Sequence, residues 1–354
     1  VMKVEQFLEL FDPVRSENPE FVERIQSAIR KLHANLMFRS EVALVSLSGG
    51  SDSDVMLDMI QALEPEKNYT DATLHYVWFN TGLEYTATKE HLSYLEEKYG
   101  ITIERIRAKT PVPLGCKTYG QPFMSKQVSQ YISRLQAHGF NFKIWGNESF
   151  DFLYKLYPNC KAALRWWCNE WGPDSRMNIN KCRLLKEFMI ENPPGFPISD
   201  GCCKGAKKDV SHDYIKKIKA CINIVGIRQA EGGVRATAYN SCFSEASKKS
   251  EAAQFRPIFY LTDQDKELYC KIRKVIHSDL YEKYGFKRTG CACCPFGSRF
   301  EQELEVADQL DPGLANAAKK IFASAYEYTR AYRAFKEEYD TNKKSVSNQT
   351  SLWD

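Results

Sequence analysis

Two groups of residues in this chain have types and spacings suited to chemistry. The first is Ser48-Gly49-Gly50-Ser51-Asp52-Ser53. The run before it, Val42 to Leu47 (VALVSL), is short, apolar and β-branched, as a buried parallel strand requires. After it, Val55, Met56, Leu57, Met59, Ile60 and Leu63 recur at helical spacing. A glycine turn between a strand and a helix suits an anion. The glycines let the backbone turn tightly and approach a ligand, and the N–H groups of the first helical turn point outward at the positive end of the helix dipole. Ser48, Ser51 and Ser53 add hydroxyl donors. The turn contains no lysine and lacks the GxxxxGK[ST] pattern. The charge of a bound phosphate must therefore be met by Mg2+ or by basic residues from elsewhere in the chain. The alternative is a plain Gly-Ser connection between strand and helix.

The second group is cysteine. Cys202 and Cys203 are adjacent, and Cys291 and Cys294 form a CxxC with Cys293 inside it. Four thiolates in two pairs can hold a structural Zn2+ or an iron–sulfur cluster, and buried thiols are the third reading. Adjacent cysteines fit a zinc tetrahedron poorly, because zinc ligands usually stand two to four residues apart. A cluster is larger, so neighbouring side chains can reach different irons. Cys116, Cys160, Cys168, Cys182, Cys221, Cys242 and Cys270 lack paired spacing and read as packed residues. Lys204, Lys207, Lys208, Lys216, Lys217 and Lys219, diluted by Asp209 and Asp213, read mainly as a solvated helix face.

The elements that must position these groups follow from periodicity. Residues 17–36 have the spacing of an amphipathic helix, 73–79 of a strand, 88–98 of a helix and 101–106 of a strand. Strand, helix, strand, helix, strand predicts a parallel sheet with right-handed crossovers. The expected organisation is a first half of an α/β domain over 1–109, a mainly helical insert rich in Trp, Phe and Tyr over 110–200, a second α/β half with the cysteine site over 201–300, and a C-terminal helical region over 301–354. Residues 221–227 predict a returning strand, 241–254 a mobile loop, 256–260 a short extended segment, and 263–276 and 301–339 helices. The last 15 residues are polar and predict a frayed end. The insert's aromatics read as core before they read as a stacking surface.

Composition narrows the class. The chain has 354 residues with 43% hydrophobic and 27% charged, which excludes a mostly disordered protein. A formal charge of +4 is too mild to indicate a nucleic-acid protein by itself. No run of 18 apolar residues occurs, and Val1 to Pro13 lacks the layout of a signal peptide. The expected compartment is the cytoplasm, with no membrane partner, where twelve cysteines do not suggest disulfides.

SGGSDS resembles the pyrophosphate loop of the adenine nucleotide α-hydrolase-like superfamily. Within it the chain resembles the phosphoadenylyl-sulfate (PAPS) reductase family. The resemblance extends in order through FNTGLEYTATKEHL (79–92), IVGIRQAEGGVRA (224–236), RPIFYLTDQDKELY (256–269) and LYEKYGFKRTGCACCPFG (280–297). It implies a Rossmann-like parallel sheet. It implies that Ser48, Gly49, Gly50, Ser51, Asp52 and Ser53 bind phosphates or sulfate, and that Asn80, Thr81 and Gly82 lie near the adenosine. Gly226, Ile227, Arg228 and Arg235 would line the anion pocket, with Asp52 and Arg228 catalytic. The CC…CxxC arrangement resembles the [4Fe-4S] site of adenylyl-sulfate reductases and implies Cys202, Cys203, Cys291 and Cys294 as ligands. Where the family often has Asp, this chain has Asn80.

Two chemistries follow from the resemblance. Family reductases that make sulfite use a cysteine near the C-terminus, and here no cysteine follows Cys294. The favoured reading is an ATP pyrophosphatase that adenylates an acceptor with ATP and Mg2+ and uses a [4Fe-4S] cluster in sulfur transfer. Its partners would be an adenine nucleotide, an acceptor that is a nucleic acid or a small molecule, and a sulfur donor such as a cysteine desulfurase. The alternatives are a sulfite-producing reductase and a non-catalytic nucleotide-binding cluster sensor.

Overall fold

Val42–Leu47 forms β1 at the centre of a six-stranded sheet. Its side chains alternate between two cores. Ala43, Val45 and Leu47 pack on one face with the helices Pro19–Phe38 and Ser51–Leu63, while Leu44 packs on the other with Val77, Tyr214 and Ile215. Burial on both faces is why this strand reads as a continuous apolar run. β1 pairs in parallel with β2 (Thr73–Asn80) on one side and β4 (Ile222–Val225) on the other. β3 (Ile103–Arg107) extends the parallel sheet beyond β2. β6 (Ala253–Phe255) pairs in parallel with β4 and antiparallel with β5 (Phe243–Ser244), giving the order β3-β2-β1-β4-β6-β5. The fold is α/β, with a Rossmann-like, mostly parallel sheet.

This computed structural model describes residues 3–38, 41–63, 73–232, 239–247 and 251–350. Arg235 lies outside them. The chain divides into two compact units. The first is Val1–Lys109 with Gly205–Ala292 and carries the sheet, and the second is Thr110–Lys204 with Cys293–Asp354. The second unit is helical. Its core gathers Phe123, Trp166, Trp167 and Phe188 from the insert with Tyr332 from the long helix Ala323–Thr350. The aromatics of the insert are therefore packing residues first. Ser125 and Ser149 start two of its helices by accepting from the backbone N–H groups of Val128 and Phe152.

Three local expectations change. The segment read as a mobile loop contains β5 and the start of β6, which pair with Phe243 against Phe255, ring centroids 6.4 Å apart. The segment 256–260 is a pair of turns rather than an extended piece: Phe259 N–H donates to Arg256 C=O and Leu261 N–H to Ile258 C=O. The C-terminal region is three helices, Phe300–Leu310, Pro312–Ile321 and Ala323–Thr350. The last runs well into the polar segment read as frayed, which contains neither proline nor glycine to stop it.

Candidate nucleotide site and the cysteines

The loops after β1, β2 and β4 leave the same C-terminal edge of the parallel sheet. β1 lies where the order reverses between β2 and β4, the position at which open α/β sheets bind ligands. The first of these loops is the glycine turn. Gly49 has φ +67, and a Cβ there would lie 2.7 Å from Thr88 Cγ2, so both conformation and space demand glycine. Ser48 and Ser53 brace the turn from inside. Gly50 N–H donates to Ser48 Oγ at 3.2 Å, and Ser53 Oγ–H donates to Gly50 C=O at 2.8 Å. These two hydroxyls shape the turn before they can serve a ligand.

Gly226, at the end of β4, is required for a different reason. A Cβ there would lie 2.8 Å from Asp52 O and 2.9 Å from Ser53 Cα, so the strand end approaches the first turn of helix Ser51–Leu63 backbone to backbone. Two residues on, Arg228 is 3% exposed. Its Nε donates to Asp52 at 2.9 Å and one Nη donates to Asp263 at 2.8 Å. Burial disfavours the guanidinium charge, but Asp52 and Asp263 outweigh it and raise its pKa. The structure thus joins Asp52 and Arg228, the two residues read as catalytic, in one ion pair at the mouth of the turn.

Sequence reasoning missed the cation that the turn lacks. Lys266, from helix Asp263–Arg273, places Nζ 2.9 Å from Ser51 Oγ and 3.1 Å from Asp52 Oδ1. Its only sequence signal is its place inside the family-like segment 256–269. Tyr281 and Thr289 were missed as well. Both touch the turn: a Cβ on Gly50 would lie 2.9 Å from Thr289 Oγ1 and 3.1 Å from the Tyr281 hydroxyl.

At the end of β2, Asn80 Oδ1 accepts from Gly82 N–H at 2.8 Å and closes a local turn with Gly82 at φ +82. Thr81 is fully buried, and its hydroxyl donates to Glu84 at 2.5 Å. Burial pushes the Glu84 carboxyl up, with Lys207 and Thr81 opposing it. Cys291 Sγ lies 3.5 Å from Thr81 Oγ1, and Ala292 N–H donates to Leu83 C=O at 2.9 Å. The segment from Thr289 to Ala292 therefore runs from the glycine turn to the Asn80-Thr81-Gly82 turn. This places Cys291 beside the turn that follows β2.

Cys202, Cys203, Cys293 and Cys294 belong to the second unit. Cys202 and Cys203 are buried in the short helix Gly201–Cys203, packed so closely on helix Val112–Tyr119 that a Cβ on Gly115 would lie 2.8 Å from Cys202 Cα. Cys294 is half-buried, and Cys293 is fully buried with φ +54. The Tyr326 hydroxyl donates to the Cys293 carbonyl at 2.5 Å. All twelve cysteines are thiols rather than disulfides. Among the described residues, no group of three or more His, Cys, Asp or Glu side chains is gathered to hold a metal ion. The donor chemistry of the two cysteine pairs suits a cluster, but a gathered set is not displayed.

Behind the turn, Asp54 is buried with His277 Nδ1 2.8 Å away and His91 Nε2 3.1 Å away. Burial pushes its carboxyl up. The hydrogen bond to His277 and the nearby charges of the two histidines prevail and hold it below its ordinary value. A carboxylate with a lowered folded-state pKa contributes stability above its unfolded pKa, and that contribution is lost as pH falls through the folded one. Asp54→Asn is therefore expected to be less stable than the parent at neutral pH, with the difference shrinking below about pH 4. Denaturant unfolding at a series of pH values measures this; a gap that widens in acid would contradict it.

The family model for the phosphoadenosine phosphosulfate reductase domain matches residues 42–143 and 174–296, more than half of the chain. The chain belongs to this family. It is 25% identical over 312 residues to an uncharacterized protein of Methanocaldococcus jannaschii, covering 88% of this chain and 45% of that one. It thus spans less than half the length of that relative. Among solved structures it is similar to a phosphoadenylyl-sulfate reductase from Candida auris, with TM-score 0.40, 12% identity, and coverage of 82% of this chain and 96% of that one. It is also similar to a U34-tRNA thiolase with its [4Fe-4S] cluster from Methanococcus maripaludis, with TM-score 0.38, 16% identity, and coverage of 90% and 79%. No helix of the described residues is long and apolar enough to cross a membrane.

Proposed function

We propose that this chain is an ATP pyrophosphatase-type adenylating enzyme that works in sulfur transfer. The observation that carries the reading is the turn at the C-terminal edge of β1, with Lys266 and the Arg228–Asp52 pair at its mouth. Backbone N–H groups and two fixed cations meet a polyphosphate, and Mg2+ arriving with ATP supplies further neutralisation. An acceptor oxygen attacks the α-phosphorus, the bond from that phosphorus to the bridging oxygen breaks, and pyrophosphate leaves with the electron pair. Sulfide, released by a thiol reductant from the persulfide of a donor such as a cysteine desulfurase, then attacks the activated atom of the acceptor, whether nucleic acid or small molecule, and AMP leaves with the acceptor oxygen and the bonding pair. The chain's own residues contribute positioning and charge stabilisation. The test is a screen of acceptors for ATP-dependent pyrophosphate release. Sulfite production from PAPS or adenylyl sulfate with thioredoxin, and no pyrophosphate release, would replace this reading with the reductase one.

Cys202, Cys203, Cys291 and Cys294 would hold a [4Fe-4S] cluster, which supplies a site for sulfide when bound. Anaerobic purification is expected to give a brown protein with about four irons and four sulfides per chain. Serine at any of these four positions should remove most of the iron, whereas Cys293→Ser, a fully buried position, should retain it. A colourless protein with one zinc would overturn the cluster.

A further inference from the structure

The segment Ser278–Cys291 crosses the glycine turn within the first unit. Ser278 caps the short helix Asp279–Glu282, accepting from Leu280 N–H, and Leu280 is buried. The next residue, Tyr281, thereby faces the turn. Its phenol oxygen accepts from Thr289 N–H at 3.0 Å and stands 3.0 Å from Thr289 Oγ1. The same oxygen is 3.1 Å from the position a Cβ on Gly50 would take. Ser51 is the first residue of helix Ser51–Leu63, and its N–H is one of the outward donors that make the turn an anion site. A phenol oxygen held by the Thr289 N–H this close to Gly50 stands over the turn, where a ligand of its N–H groups would have to approach.

We propose that Tyr281 is a latch on the phosphate turn: its hydroxyl holds the position of one polyphosphate oxygen, and a bound polyphosphate must displace it. The inference rests on the nucleotide reading above and adds a residue that opposes ligand entry. Two further features suit displacement. Gly285, at φ +66, and Gly290 flank the stretch that carries Thr289, and a Cβ on either would meet nothing within 4 Å, so neither is clamped by neighbours. The segment ends at Cys291, beside Thr81. Movement of the latch is thus continuous with the thiol at the end of β2.

Inorganic pyrophosphate and Mg-ATP serve as probes, with binding measured by calorimetry on the full chain and on Tyr281→Phe. Loss of the competing hydroxyl should tighten both about fivefold, the scale of one hydrogen bond that no longer has to be broken. Equal binding would overturn the latch, and weaker binding would make Tyr281 a ligand of the nucleotide instead. If neither protein binds either probe, the nucleotide reading fails and the latch with it. If Tyr281→Phe does not fold, Thr289→Val, which removes one of the phenol's holds, decides by the same comparison with about twofold tightening expected.

Discussion

Gly226→Ala is expected to lose about 3 kcal/mol of stability and all measurable nucleotide binding. The added methyl would meet Asp52 O at 2.8 Å and Ser53 Cα at 2.9 Å. Both are backbone atoms, so no rotamer change relieves the collision. Either β4 withdraws from the sheet or helix Ser51–Leu63 moves, and in both cases the N–H groups of the turn leave register with the cations at its mouth. Gly195→Ala is the comparison, because a Cβ there meets nothing within 4 Å and its expected change is within about 0.5 kcal/mol. Denaturant unfolding and ATP titration of the two variants measure the contrast. Matching stabilities would show that the approach of β4 to the helix is not as close as described.

Asp52→Ala is expected to reduce ATP-dependent pyrophosphate release by about 100-fold or more, in the range seen when a preorganised electrostatic contact is removed from a reacting centre. The carboxylate holds Arg228 Nε at 2.9 Å and Lys266 Nζ at 3.1 Å. Without it both cations lose their aim, and the guanidinium is left buried with Asp263 as its remaining acidic partner. Breaking a fully buried pair costs about 3–5 kcal/mol; the exposed Asp263 remains, so about 2 kcal/mol is expected here. Asp52→Asn keeps the shape and should lose activity while losing less stability. Unchanged pyrophosphate release in the alanine variant would remove the turn from the chemistry.

The parallel core was legible because its central strand, β1, is buried on both faces. VALVSL and TLHYVWF leave little choice of element, and the glycine turn announces itself between strand and helix. The misread pieces were those where a few contacts decide. Phe243 and Phe255 make a strand pair of only two residue positions, too short for any period to show. Gly226 was found by resemblance, but its physical reason, contact with the backbone of Asp52, is invisible without coordinates. Lys266, Tyr281 and Thr289 carry no local pattern that marks them as belonging to residue 51.

The sequence by itself determined a parallel α/β chain with a glycine turn between strand and helix, an aromatic helical insert and two cysteine pairs, because each is written in short-range periodicity or adjacency. The tertiary structure decided that Arg228 and Lys266 meet at Asp52, that Cys291 reaches Thr81, and that a phenol hydroxyl sits on the turn. Those pairings join residues far apart along the chain. They depend on how β4 and the later helices dock on the sheet, and docking is set by packing across the whole core rather than by any local run of residues.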